Sequence, residues 1–140
     1  MKNDATESVP VHRVLLAEDD EVNQEIVRAL LADMPEIVLT VVGDGRAAIE
    51  AALGQRFDLM IFDRNMPQIS GDRVIRYLRT AATINSATPI VQMTADVDHV
   101  TIGPHVSGDV IVPKPIRADV FMAVIRDQLA DNGKNLIRPA

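Results

Sequence analysis

Short apolar runs alternate along this chain with stretches of helical periodicity, and few architectures accept that alternation. The runs are Arg13-Val-Leu-Leu-Ala17, Ile37 to Val42, Leu59-Met-Ile-Phe62, Pro89 to Thr94 and Val110-Ile-Val112. Each is too short for a helix and rich in branched residues, as strands buried on both faces are. Between them lie helical segments. From Glu21 to about Met34, apolar residues at Val22, Ile26, Val27, Leu30 and Leu31 form an amphipathic stripe that stops before Pro35. The turn Gly43-Asp-Gly45 leads into an Ala-rich helix, Arg46 to Leu53. Further helices are expected at about Asp72 to Ala82 and from Ala118 to Ala130. Between the fourth and fifth strands, Asp96 to Gly108 holds Gly103, Pro104 and Gly108, so any helix there is short or irregular.

Strands that alternate with helices pair in parallel through right-handed crossovers. The expected fold is therefore α/β: a flavodoxin-like, doubly wound five-stranded parallel sheet in the order 2-1-3-4-5, with about five helices. At 140 residues the chain fits one such domain. Residues 1–11 and 131–140 are polar enough to read as flexible tails around a domain spanning 12–130.

In a sheet of this kind, ligands bind beyond the carboxyl ends of the strands. The unusual polar residues of this chain gather on that rim. Glu18-Asp19-Asp20 follows the first strand, Asp63 ends the third, Thr94 ends the fourth and Lys114 follows the fifth. Asp20 reads as the N-cap of the first helix rather than as a ligand, because a carboxylate there satisfies free amide donors and the helix dipole. The remaining carboxylates would repel one another by roughly 1 kcal/mol per pair in water and about 4 kcal/mol at an effective dielectric near 20, which a bound cation would relieve. Oxygen donors without His or Cys favour a hard ion, and Mg²⁺ is the natural candidate. His12, His99 and His105 have no ligand spacing, and the chain contains no cysteine. A Lys point charge, a Thr hydroxyl and a metal suit the three equatorial oxygens of a phosphoryl group, with Asp63 the best-placed nucleophile.

These motifs resemble the receiver domains of two-component signalling over about residues 12–130. Val14-Leu-Leu-Ala-Glu-Asp-Asp-Glu-Val-Asn-Gln24 is similar to the first strand and acidic pair of receivers, especially those of hybrid histidine kinases. Leu59-Met-Ile-Phe-Asp-Arg-Asn-Met-Pro67 with Gly71 is similar to the phosphoacceptor segment. Val91-Gln-Met-Thr-Ala95 resembles the strand that ends in the switch residue, and Val112-Pro-Lys-Pro-Ile116 the Lys-Pro element, whose peptide bond is usually cis. The resemblance implies Asp63 as phosphoacceptor, Asp19 and Asp63 as direct metal ligands, the Asn65 main-chain carbonyl as a third and Glu18 acting through water. It also implies that Thr94 and Lys114 hold the phosphoryl group. The donor would be a histidine kinase or a histidine phosphotransfer protein, docking on the helix that begins near Asp20, and the output would go to a further protein target. Three positions depart from the pattern. Ile111 stands where receivers often carry an aromatic residue, Ser70 where an Asp is common, and the interval from Thr94 to Lys114 is short.

A net charge of −6 argues against nucleic acid as a direct partner. The first residues lack a signal-like apolar segment and no run reaches membrane-spanning length, so no membrane contact and a cytoplasmic location are expected. Two alternatives stand beside the phosphoacceptor. A phosphatase of the haloacid dehalogenase type would place its nucleophile in an Asp-x-Asp motif after the first strand, which Glu18-Asp19-Asp20 does not supply. A receiver that works as an interaction module without phosphorylation is suggested by Ile111 and the irregular segment before it.

Overall fold

In the computed structural model, residues 11–95 and 110–137 are described, those from 131 onward by their backbone alone. The elements are β1 (His12–Ala17), α1 (Glu21–Leu31), β2 (Ile37–Val42), α2 (Gly45–Gly54), β3 (Leu59–Asp63), α3 (Gly71–Thr80), β4 (Ile90–Thr94), β5 (Val110–Pro113) and α4 (Ala118–Ile137). All strands pair in parallel and the sheet order is β2-β1-β3-β4-β5, as the alternation requires. Four helices lie among the described residues. The expected irregular helix falls in 96–109, outside them.

Alternating side chains of each strand feed two cores. Val14 and Leu16 of β1, Leu59 and Ile61 of β3, and Val91 and Met93 of β4 face α1 and α4. Leu15, Ala17, Met60, Phe62 and Ile90 face α2 and α3. Every residue of β3 and β4 is buried, so the polar Gln92 and Thr94 of β4 lie inside the protein rather than on a solvent face.

Two helices differ from expectation. In α1 the core residues are Val27 and Leu31, while Val22 is 67 % and Ile26 38 % exposed. At about 100° per residue, Val22 and Ile26 lie about 140° and 100° around the helix from Val27, so the apolar stripe is wider than the face the sheet covers. The last helix runs to Ile137 instead of ending at Ala130. Gly133 is only mildly unfavourable in a helix. No proline falls between Ala130 and Ile137 to force an earlier stop.

The α2–α3 side is tied by a buried side chain. Asn85 is fully buried, donates to the carbonyls of Ala52 (2.6 Å) and Gln55 (2.7 Å), and accepts from Phe57 N (2.9 Å) and the Thr88 hydroxyl (2.9 Å). The loop before β4 is thereby fastened to the end of α2 and the start of β3.

Candidate functional site

The register puts the ends of the strands level. Ala17 pairs with Phe62, Asp63 with Met93, and Thr94 with Pro113. Glu18, Asp63, Thr94 and Lys114 therefore emerge on one rim, and two main-chain bonds fix the exits: Arg64 N donates to Met93 O (2.8 Å) and Lys114 N to Thr94 O (2.9 Å). The Lys114–Pro115 peptide bond is cis.

At this rim the Lys114 ammonium lies 3.0 Å from Glu18 Oε1 and 3.1 Å from Asp63 Oδ2. Glu18 and Asp63 are buried. The second oxygen of each is also engaged: Asp20 N donates to Glu18 Oε2 (3.0 Å) and Asn65 N to Asp63 Oδ1 (3.2 Å). Burial pushes the Glu18 carboxyl up to about 7, with the Asp63 charge adding to it; the Asp20 amide and Lys114 pull the other way. Burial alone would lower the Lys114 ammonium, but its bonds to Glu18 and Asp63 prevail and hold it above 10.5. One ammonium thus serves two carboxylates, so the corner retains negative charge.

Asp19 is exposed, yet one carboxylate oxygen from each of Glu18, Asp19 and Asp63 fits within a 4.8 Å span. This all-oxygen set could hold a hard divalent cation. Asn65, exposed, follows in the same loop as Asp63, and Thr94 is fully buried at the end of β4. Asp20 caps α1 as expected, accepting from Val22 N at 2.9 Å.

The sequence reading did not assign Gln24 a role. Its side-chain amide donates to the Glu18 carbonyl at 2.6 Å, pinning the β1–α1 loop from within α1. Its place six residues after Glu18, on the first turn of α1, was the available signal. Also unassigned was the shape of the loop after Asp63. Ile69 N donates to Pro67 O (2.8 Å) around Gln68, whose φ is 71°, making a tight γ-turn that costs about 1–3 kcal/mol of backbone strain. Gly71 N closes the loop by donating to Arg64 O at 2.8 Å, and a Cβ on Gly71 would collide with the Asp63 carbonyl.

The profile of the response regulator receiver domain family matches residues 14–126. The chain belongs to that family. It is 33 % identical over 129 residues to the DNA-binding response regulator MtrA of Mycolicibacterium paratuberculosis, an alignment covering 86 % of this chain and 52 % of MtrA. It is 30 % identical over 128 residues to the transcription factor SKN7 of Candida albicans, covering 90 % of this chain and 22 % of that one. This receiver thus spans about half the length of the MtrA proteins it matches, and less of SKN7. Among solved structures, the signal receiver domain of a Vibrio parahaemolyticus LuxO repressor protein has a TM-score of 0.78 at 24 % identity, covering 93 % of this chain and 99 % of that one. The receiver domain of a Pseudomonas aeruginosa sensor histidine kinase, solved with a magnesium ion coordinated in its active-site cleft, has a TM-score of 0.74 at 24 % identity, covering 86 % and 98 %. These likenesses show the fold of two-component receivers. No helix among the described residues is long and apolar enough to cross a membrane.

Proposed function

We propose that this receiver accepts a phosphoryl group on Asp63 from a phosphohistidine of a histidine kinase or histidine phosphotransfer protein. The observation that carries the reading is the buried corner in which the Lys114 ammonium stands 3.1 Å from Asp63 Oδ2 and 3.0 Å from Glu18 Oε1. A carboxylate oxygen of Asp63 attacks phosphorus, the bond from phosphorus to the donor imidazole nitrogen breaks, and the imidazole leaves with the bonding pair and takes up a proton. The product is an acyl phosphate, which later hydrolyses when water attacks phosphorus and returns the Asp63 carboxylate and inorganic phosphate.

The chain's own groups stabilise the charge that moves onto the phosphoryl oxygens. Lys114 follows the phosphoryl group as a point charge, and the Thr94 hydroxyl donates to a second oxygen. Asp19, Asp63 and the Asn65 main-chain carbonyl would hold Mg²⁺, with Glu18 acting through water; when bound, Mg²⁺ neutralises oxygens of both carboxylate and phosphoryl group. The receiver so catalyses its own phosphorylation and dephosphorylation and is not an enzyme acting on a separate substrate. Output passes to another protein, without direct nucleic-acid or membrane contact by this receiver, in the cytoplasm.

Intact mass after incubation with acetyl phosphate and Mg²⁺ tests this. One phosphoryl group is expected on the wild type, lost with chelator and in Asp63→Ala. No gain by the folded wild type would overturn the reading and favour a phosphorylation-independent interaction module, for which Ile111, half-buried in β5 on the same side of the sheet as Thr94, is the supporting observation.

A further inference from the structure

Opposite Asp63, the phosphoacceptor loop leans on the first residue of α2. Gly45 is buried there, one residue after the N-cap Asp44, whose side chain accepts from Ala47 N at 2.8 Å. A Cβ on Gly45 would stand 2.5 Å from the Ile69 carbonyl oxygen, 2.9 Å from Ile69 Cβ and 3.1 Å from Val74 Cγ2. The first of these is main chain, so it cannot yield by a rotamer change and the loop itself would have to move. Ile69 directly follows Gln68, the residue at positive φ, and its own N–H closes the γ-turn. The loop is also fixed at its base by Gly71 and in its middle by buried Met66. Gly71, two residues after Ile69, donates to Arg64 O and packs against the Asp63 carbonyl, so displacing Ile69 pulls on the contact that flanks both Asp63 and Asn65.

We propose that Gly45 is a positioning residue for the phosphoacceptor: its missing side chain lets α2 brace the strained γ-turn and so keeps Asp63 and the Asn65 carbonyl in place. This rests on Asp63 being the acceptor. Gly54, at the other end of the same helix, provides the control, because a Cβ there meets nothing within 4 Å.

Wild type, Gly45→Ala, Gly54→Ala and Ile69→Gly are compared in three measurements: the initial rate of phosphoryl gain from acetyl phosphate, the Mg²⁺ concentration giving half that rate, and urea unfolding followed by circular dichroism. A misplacement near 1 Å slows chemistry by as much as about 100-fold, so Gly45→Ala, still folded, is expected to react about 10- to 100-fold more slowly and to need more Mg²⁺, with Gly54→Ala within about twofold of wild type. Folded Gly45→Ala reacting within about twofold of wild type, whatever its unfolding midpoint, would overturn the proposal. Should Gly45→Ala fail to fold, Ile69→Gly decides, because it removes the Ile69 Cβ that lies against Gly45 and frees the backbone after Gln68: slowing of about threefold or more supports the brace and a wild-type rate overturns it. A wild type that gains no phosphoryl group sinks the acceptor reading, and this inference with it.

Discussion

On one face of the sheet, α1 and α4 press Val27, Leu31, Phe121, Met122, Ile125 and Leu129 onto the strands. On the other face, α2 and α3 contribute smaller residues, Ala48, Ala52, Val74, Ile75 and Leu78, and the layer is tied down by Asn85 and by close contacts at Gly45. The first layer is held by apolar volume, which many sequences could supply. The second depends on groups of one particular shape and hydrogen-bonding pattern, and it is the layer against which the loop after Asp63 rests. Precision is needed where a loop must be placed within a fraction of an ångström, and directional contacts supply it where apolar volume does not.

The sharpest way to break this comparison is a pair of near-isosteric swaps. Ile125→Leu keeps apolar volume and should cost less than about 1.5 kcal/mol, against about 2–5 kcal/mol for Ile125→Ala. Asn85→Asp keeps the shape but cannot donate, which leaves the carbonyls of Ala52 and Gln55 facing a carboxylate. At about 1–3 kcal/mol for each buried group left unsatisfied, it should cost about 3 kcal/mol or more. Urea unfolding measures both. Equal costs for Ile125→Leu and Asn85→Asp would show that the two layers are held alike.

That contrast also sets what could be read from the sequence. Five strands could be read because each apolar run is too short for a helix and rich in branched residues, and their alternation with helical segments makes the sheet parallel. The rim residues were readable for a related reason: once the strand ends are known, Glu18, Asp63, Thr94 and Lys114 must emerge together. Asn85 left no such trace, since an Asn in a loop reads as a turn residue and three of its four side-chain partners lie 28 to 33 positions away. Gly45 was visible as part of a turn, but its contact with Ile69 depends on how two loops meet in space. Val22 and Ile26 misled in the opposite sense, because helical periodicity reports an apolar stripe and not how much of it the sheet covers.

The rim between the layers offers a second, smaller effect. Glu18, held up to about 7 in the folded chain against an ordinary 4.5, keeps between those values a proton that the unfolded chain releases. The folded state then binds more protons, so stability in the absence of divalent metal should fall as pH rises through that window, by on the order of 1–3 kcal/mol. Lys114 adds nothing to this slope, since its raised value lies above 10.5 and its contribution is lost only in strong alkali. Glu18→Gln cannot titrate and should lose this part of the slope. Urea midpoints at pH 5 and pH 7.5 in EDTA check it, and an unchanged slope in Glu18→Gln would assign the effect to another group.

The smallest expected effect tests whether the difference between the layers reaches the surface. The α1 pair Glu25–Arg28 (3.3 Å) and the α2 pair Arg46–Glu50 (3.5 Å) lie on opposite sides of the sheet, and all four side chains are largely exposed to solvent. Water and salt screen such pairs, and each is worth about 0.3–0.5 kcal/mol whichever layer its helix belongs to. Arg28→Ala and Arg46→Ala should therefore shift urea stability by similar amounts, with both shifts shrinking in 1 M NaCl. A markedly larger loss for Arg46→Ala would mean that the proposed brace of α2 on the loop after Asp63 extends through its outer face, and that the contrast between the layers is not confined to their buried contacts.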